Sequence, residues 1–149
     1  RGLHRRPRRH HGSEDACVGC GGGDRGTKVR SKLVASNKSI VIVFKSDGMG
    51  TTAAQELREV LAGKFLSLIT AAGMLPAVIC FYTDGVKLVC EGSPVLPTLQ
   101  ELERQGVHLV VCKTCLDYFG LADQVRAGIV GGMPDIITAM WQADTVITL

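Results

Sequence analysis

Ser39-Ile40-Val41-Ile42-Val43-Phe44-Lys45 is an apolar, mostly β-branched run with no alternation of polar and apolar residues. A strand with one wet face alternates, whereas a strand covered on both faces does not, so this run predicts a strand inside a parallel sheet. It stops at Ser46-Asp47-Gly48-Met49-Gly50-Thr51-Thr52, a loop rich in helix-capping residues. A long helix is expected from about Thr52 to Ala72, because Leu57, Val60, Leu61, Phe65, Leu68 and Ile69 recur at steps of three and four, and Gly73 closes it as a C-cap.

The same unit then repeats. Ala77 to Tyr82 reads as a second buried strand, ended by Thr83-Asp84-Gly85 and a helical piece from Val86 to Cys90. Pro94 opens a helix with Leu96, Leu99 and Leu102 on one side, stopped by Gly106, and Val107 to Cys112 is the third strand. Leu121 to Ala127 predicts a short helix and Ile129-Val130 a short strand. Pro134 to Ala143 predicts the last helix, with Met140 and Trp141 in the core, and Thr145 to Leu149 the last strand. Strands alternating with helices imply right-handed crossovers and an α/β fold: a three-layer α/β/α domain on a mostly parallel sheet of about five strands.

Composition divides the chain in two. Residues 1–38 hold ten Lys and Arg against three Asp and Glu, a net +7, which leaves seven against eleven, a net −4, for residues 39–149. The first segment is also Gly-rich and poor in apolar residues, so a basic tail or linker without a packed core is expected there, with the α/β domain at 39–149. Such a tail touches nucleic acid or anionic surfaces only nonspecifically. No apolar run is long enough for a membrane span and none behaves as a signal peptide, so a cytoplasmic location with reduced thiols is expected. The chain begins at Arg1 rather than Met, so we expect a fragment of a longer protein. Cys17 and Cys20 form a Cys-x-x-Cys in the tail, near His4, His10 and His11. Metal binding, a redox or sulfur-accepting role and a plain linker all stay open there. The distance to Cys112 argues against a shared zinc site, and neither a metal nor a cofactor is expected.

Ligands of parallel sheets gather at the carboxyl ends of the strands. Three loops meet that description: Ser46–Thr52, Thr83–Gly85 and Cys112–Asp117. Ser46, Asp47, Gly48, Met49 and Gly50 could cradle an anion with backbone N–H groups, but a capped tight turn explains them as simply. Asp84-Gly85 reads as turn chemistry. Cys80 and Cys90 sit in apolar surroundings as small hydrophobes, and His108 as a strand residue. Cys112-Lys113-Thr114-Cys115 is different in kind. A thiolate at a strand end is stabilised by free backbone N–H groups and by a nearby Lys113, so one or both sulfurs are expected to be nucleophilic, with Lys113 and Thr114 near the substrate. Persulfide transfer, dithiol–disulfide cycling and a purely structural pair are the three readings.

Ser46 to Gly50, then Phe81-Tyr82 with Gly85-Val86-Lys87-Leu88, Glu91-Gly92-Ser93-Pro94-Val95, and Val111 to Tyr118 with Gly120-Leu121 are combined in one order over about residues 39–149. In that combination the chain resembles the DsrE-like domain of YedF-type proteins, a sulfurtransferase-like group linked to selenium metabolism. The resemblance implies a small α/β/α domain that forms oligomers, here a homo-oligomer, and works as a sulfur carrier with a TusA-like or other carrier protein as its partner. In TusD-like members the sulfur-carrying Cys stands eight residues before a Gly, the spacing of Cys112 to Gly120. The carrier role therefore falls on Cys112, with Cys115 as a resolving or second thiol. YedF-type proteins carry a TusA-like domain ahead of this one, and none is present in this chain. A non-catalytic oligomeric interaction module of the same fold and a dithiol oxidoreductase are the alternatives.

Overall fold

The computed structural model describes residues 38–149. The strands are β1 (Ile40–Phe44), β2 (Val78–Phe81), β3 (His108–Cys112), β4 (Ile129–Gly131) and β5 (Thr145–Thr148). They form one sheet in the order β4-β3-β2-β1-β5, and every pairing is parallel. The helices are α1 (Gln55–Ala71), α2 (Leu96–Arg104), α3 (Lys113–Phe119) and α4 (Met133–Gln142), with 3-10 segments at Thr83–Val89 and Ala122–Gln124. The expected α/β fold with about five parallel strands is the one observed.

Topology decides what covers each face. From β1 to β4 the chain steps one strand at a time toward one edge, and β5 returns to the far side of β1. Right-handed crossovers then put the helices between β1 and β4 on one face and α4 on the other. The register agrees: Ile42, Phe44, Ile79, Phe81, Leu109 and Val111 share one face, and Val41, Val43, Cys80 and Val110 the opposite one. On the first face the Phe44 and Phe81 rings stack at 5.6 Å, against a core completed by Ala62, Leu66, Leu99 and Leu102. Burying each such large side chain stabilises the fold by roughly 1.5–3 kcal/mol. The smaller Val and Cys face receives Ile136 of α4.

Two expectations about helix faces are corrected. The predicted stripe of α1 is mostly turned to solvent: Leu57, Val60, Leu61 and Leu68 are exposed, while Ala62, Leu66 and Ile69 are the buried positions. Gly63 lies 3.7 Å, at the position a Cβ would take, from Val95, so small residues let α1 come close to its neighbour. Trp141 is not core but 88% exposed, and Met140 is half-buried. Its helix α4 buries one narrow side through Ile136 and leaves Met133, Ile137 and Trp141, four residues apart, on the outside.

Boundaries also moved. The Val86–Cys90 piece is a 3-10 segment from Thr83 to Val89, and Leu121–Ala127 contains only a 3-10 turn at Ala122–Gln124. The reason lies just before it, where Gly120 adopts φ 67° and caps α3, with the Leu121 N–H returning to the Leu116 carbonyl at 2.9 Å. The expected basic tail, and the readings of Cys17, Cys20, His4, His10 and His11, lie outside the described residues. Among the described residues no helix is long and apolar enough to cross a membrane.

Candidate functional site

β3 ends on Cys112, paired in register with Gly131 of β4, and the chain passes directly into α3. Three residues further on is about one helical turn, so Cys115 comes to stand beside Cys112. The two thiols are neighbours, close enough for Cys112 to oppose a charge on Cys115. Their environments differ: Cys112 is 1% exposed, while Cys115 is half-buried at the surface of the site.

Cys115 faces the turn that follows β2. The Thr83 backbone N–H donates to the Cys115 Sγ at 3.1 Å. Thr83 has φ 49°, the sole left-handed backbone among the described residues other than glycine, and left-handed geometry is costly for a β-branched residue. Its hydroxyl donates to the carbonyl of Lys45 at the end of β1 and to that of Tyr82 at 2.7 Å. One residue thus ties the ends of β1, β2 and α3 together. Two residues on, a Cβ on Gly85 would stand 2.2 Å from the Phe44 carbonyl oxygen, so only glycine lets this turn sit on β1. α3 is held against the same turn by Lys87, whose Nζ lies 4.7 Å from the centre of the Phe119 ring.

The electrostatics correct the expectation of an acidified thiol. Burial pushes the Cys115 thiol up; the Thr83 N–H works against that, and Cys112 and Asp84 push it further up. Lys113 is not aimed at the sulfurs but pairs with Asp117 at 2.6 Å, and α3 is a seven-residue helix in which Cys112 makes no side-chain cap. Thr114 and Lys113 are both exposed. Cys80 is wholly buried and pushed up to about 11 by burial. Burial also raises the Cys90 thiol, against the opposing charge of Arg126, and its Sγ donates to the Val86 carbonyl at 3.2 Å. Both fit the reading as small core hydrophobes.

The Ser46–Gly50 loop follows β1, which β2 separates from the cysteine-bearing β3. Its backbone is spent on α1: the Met49 N–H donates to the Arg58 carbonyl at 3.0 Å, Asp47 pairs with Arg58 at 2.9 Å, and a Cβ on Gly48 would stand 2.5 Å from the Arg58 Cβ. Close packing on α1 therefore accounts for Gly48 without a ligand. Ser46, Met49 and Gly50 still line a cavity of about 530 Å3 with Lys45, Thr51, Arg58, Thr148 and Leu149. Lys45 joins the two halves, lining the cavity with one side of the residue and accepting from Thr83 with its carbonyl.

Sequence reasoning found the cysteine pair and the three strand ends but missed Thr83, and it expected a loop at Cys112–Asp117 where helix α3 starts at Lys113 and a turn at Thr83–Gly85 where a 3-10 segment begins. The available signal for Thr83 was its position, directly after the strand that neighbours β3 on the sheet. Among the described residues no group of three His, Cys, Asp or Glu side chains is placed to hold a metal ion.

Solved structures share this architecture. The ychN protein from E. coli superposes with a TM-score of 0.55 at 20% identity, covering 75% of this chain and 99% of its own. Protein MTH1491 from Methanobacterium thermoautotrophicum gives a TM-score of 0.57 at 19% identity over 76% of this chain and 100% of its own. At these identities the likeness is one of fold. No curated protein matches the chain. The model of the DsrE/DsrF-like family matches residues 38–149, the whole described domain with its cysteine pair, and the chain belongs to the DsrE/DsrF-like family.

Proposed function

We propose that this protein is a sulfur or selenium carrier of the YedF type, relaying a persulfide sulfur through Cys112 and Cys115. The family is associated with sulfur relay. The observation that carries the reading is the thiol pair itself, two neighbouring sulfurs at the carboxyl end of β3, one accessible and one sheltered. Exposure assigns the order. The Cys115 thiolate attacks the outer sulfur of a donor persulfide, the donor S–S bond breaks, and the donor leaves as a thiolate. Cys115 then holds the persulfide, with no net oxidation. The neighbouring Cys112 thiolate takes the outer sulfur in the same way and shelters it from solvent. Cys112 thus keeps the carrier role that the family spacing implies, with Cys115 as the receiving thiol. An acceptor thiolate discharges the pair by the reverse steps.

The remaining parts of the proposal are a cytoplasmic setting, where thiols stay reduced, a TusA-like or other sulfur-carrier protein as partner, and a homo-oligomer whose contacts use the apolar outer faces of α1 and α4. Cold cyanolysis tests the chemistry. After exposure to a small-molecule persulfide and removal of the excess, the protein should release thiocyanate on addition of cyanide. A Cys112→Ser/Cys115→Ser double variant should release clearly less, and none when Cys17 and Cys20 are replaced as well. Equal release from both proteins would refute the role of the pair. Dithiol cycling is a second reading, favoured by the contact between the two thiols. A Cys112–Cys115 disulfide persisting at a cytosolic thiol poise would support it over sulfur carriage.

A further inference from the structure

We propose that Thr83 is the positioning residue of this site: its left-handed backbone aims the N–H at the Cys115 sulfur, and its hydroxyl holds that backbone in place. The inference rests on Cys115 being a working thiol, as proposed above, but it concerns a residue that carries none of the sulfur. Three observations converge. The N–H lies 3.1 Å from Sγ. The φ of 49° that directs it there is unfavourable for a β-branched residue. The hydroxyl hydrogen is shared between the Lys45 and Tyr82 carbonyls, so the side chain that makes the conformation costly also anchors it.

The chemical consequence follows from what else faces Cys115. The Cys112 sulfur and the Asp84 carboxylate both oppose a negative charge on it. Lys87 is taken up by Asp84 at 2.5 Å and Lys113 by Asp117 at 2.6 Å. The Thr83 N–H is the contact that favours the thiolate, the form that attacks a persulfide. It favours the outgoing thiolate equally when Cys115 is discharged. A hydrogen bond to the charged form of an acid lowers its pKa, and losing it raises the midpoint.

The test follows alkylation of Cys115 by iodoacetamide against pH in the full chain, read by peptide mass spectrometry. It needs no sulfur donor, so it stands or falls apart from the carrier reading. Thr83→Val keeps the shape but removes the hydroxyl anchor, freeing the residue to leave the left-handed region and turn its N–H away. We expect the midpoint to rise by about one pH unit, with alkylation roughly tenfold slower below it. Thr83→Ser restores the anchor and should restore the wild-type profile. Thr83→Gly occupies the left-handed region without an anchor, folds without strain, and should stay closer to wild type than Val. If the Val variant does not fold, Thr83→Ala takes its place with the same expected rise. A midpoint unchanged in the hydroxyl-free Val or Ala variant, or a Ser variant that shifts as far as Val, overturns the proposal. Normal Thr83 effects in a protein that cannot be loaded with sulfur would overturn the carrier reading alone.

Discussion

Cys115 and Cys80 show how burial sets the use of a thiol. Burial raises both, but Cys115 keeps a backbone donor and a path to solvent, whereas Cys80 has neither and is pushed up to about 11. Native Cys80 therefore stays protonated at a pH where the unfolded chain ionises. A pKa raised in the folded state gives stability that is fully present below the unfolded value and lost as pH rises through the folded one. Between about pH 8.5 and pH 11 the protein should lose on the order of 2–3 kcal/mol through this residue. Urea midpoints across that range should fall steeply in wild type and less steeply in Cys80→Ala, which starts lower because of the cavity it leaves. For Cys115 the raised value predicts slow alkylation at neutral pH and an alkaline midpoint in its pH profile. The cysteine spacing was legible in the sequence, but the direction of this shift was not. It depends on how three strand ends close over one sulfur, and Thr83 contributes through backbone geometry that no residue type announces.

The helices carry their apolar residues on more than one side, which is why their positions were easier to read than their orientations. α1 packs through Ala62, Leu66 and Ile69 and leaves Leu57, Val60, Leu61 and Leu68 outside. With apolar residues on both sides, a period of three to four marks a helix without marking its inner face. Leu66→Ala should cost about 2–5 kcal/mol in chemical denaturation, as a buried truncation does. Leu68→Ala, at a position 63% exposed, should cost about 0.5 kcal/mol or less in the monomer. At the turn after β2, Gly85→Ala drives a methyl group into the Phe44 carbonyl and should destabilise by about 1–3 kcal/mol or more. The strands were legible because continuous Val and Ile runs have little alternative in a chain that alternates them with helices. The short helix expected at Leu121–Ala127 was lost to Gly120, which ends α3 in a left-handed turn and re-aims the chain.

Among the described residues, the sheet order and crossover handedness leave one face under a single ten-residue helix, and that helix shows Met133, Ile137 and Trp141 to solvent. Two exposed apolar helix faces on one small domain favour self-association. Sedimentation velocity should show an oligomer that falls apart in an Ile137→Glu/Trp141→Glu variant with unchanged far-UV circular dichroism; a monomeric wild type at micromolar concentration would contradict that part of the account. The central claim is that the strand-end thiol pair carries sulfane sulfur, and its most direct test is peptide mass spectrometry after exposure to a persulfide donor. One added sulfur is expected on the peptide holding Cys112 and Cys115, absent when Cys115 is replaced by Ser and lost on addition of an acceptor thiol. A folded wild-type protein that gains no sulfur on that peptide would contradict it.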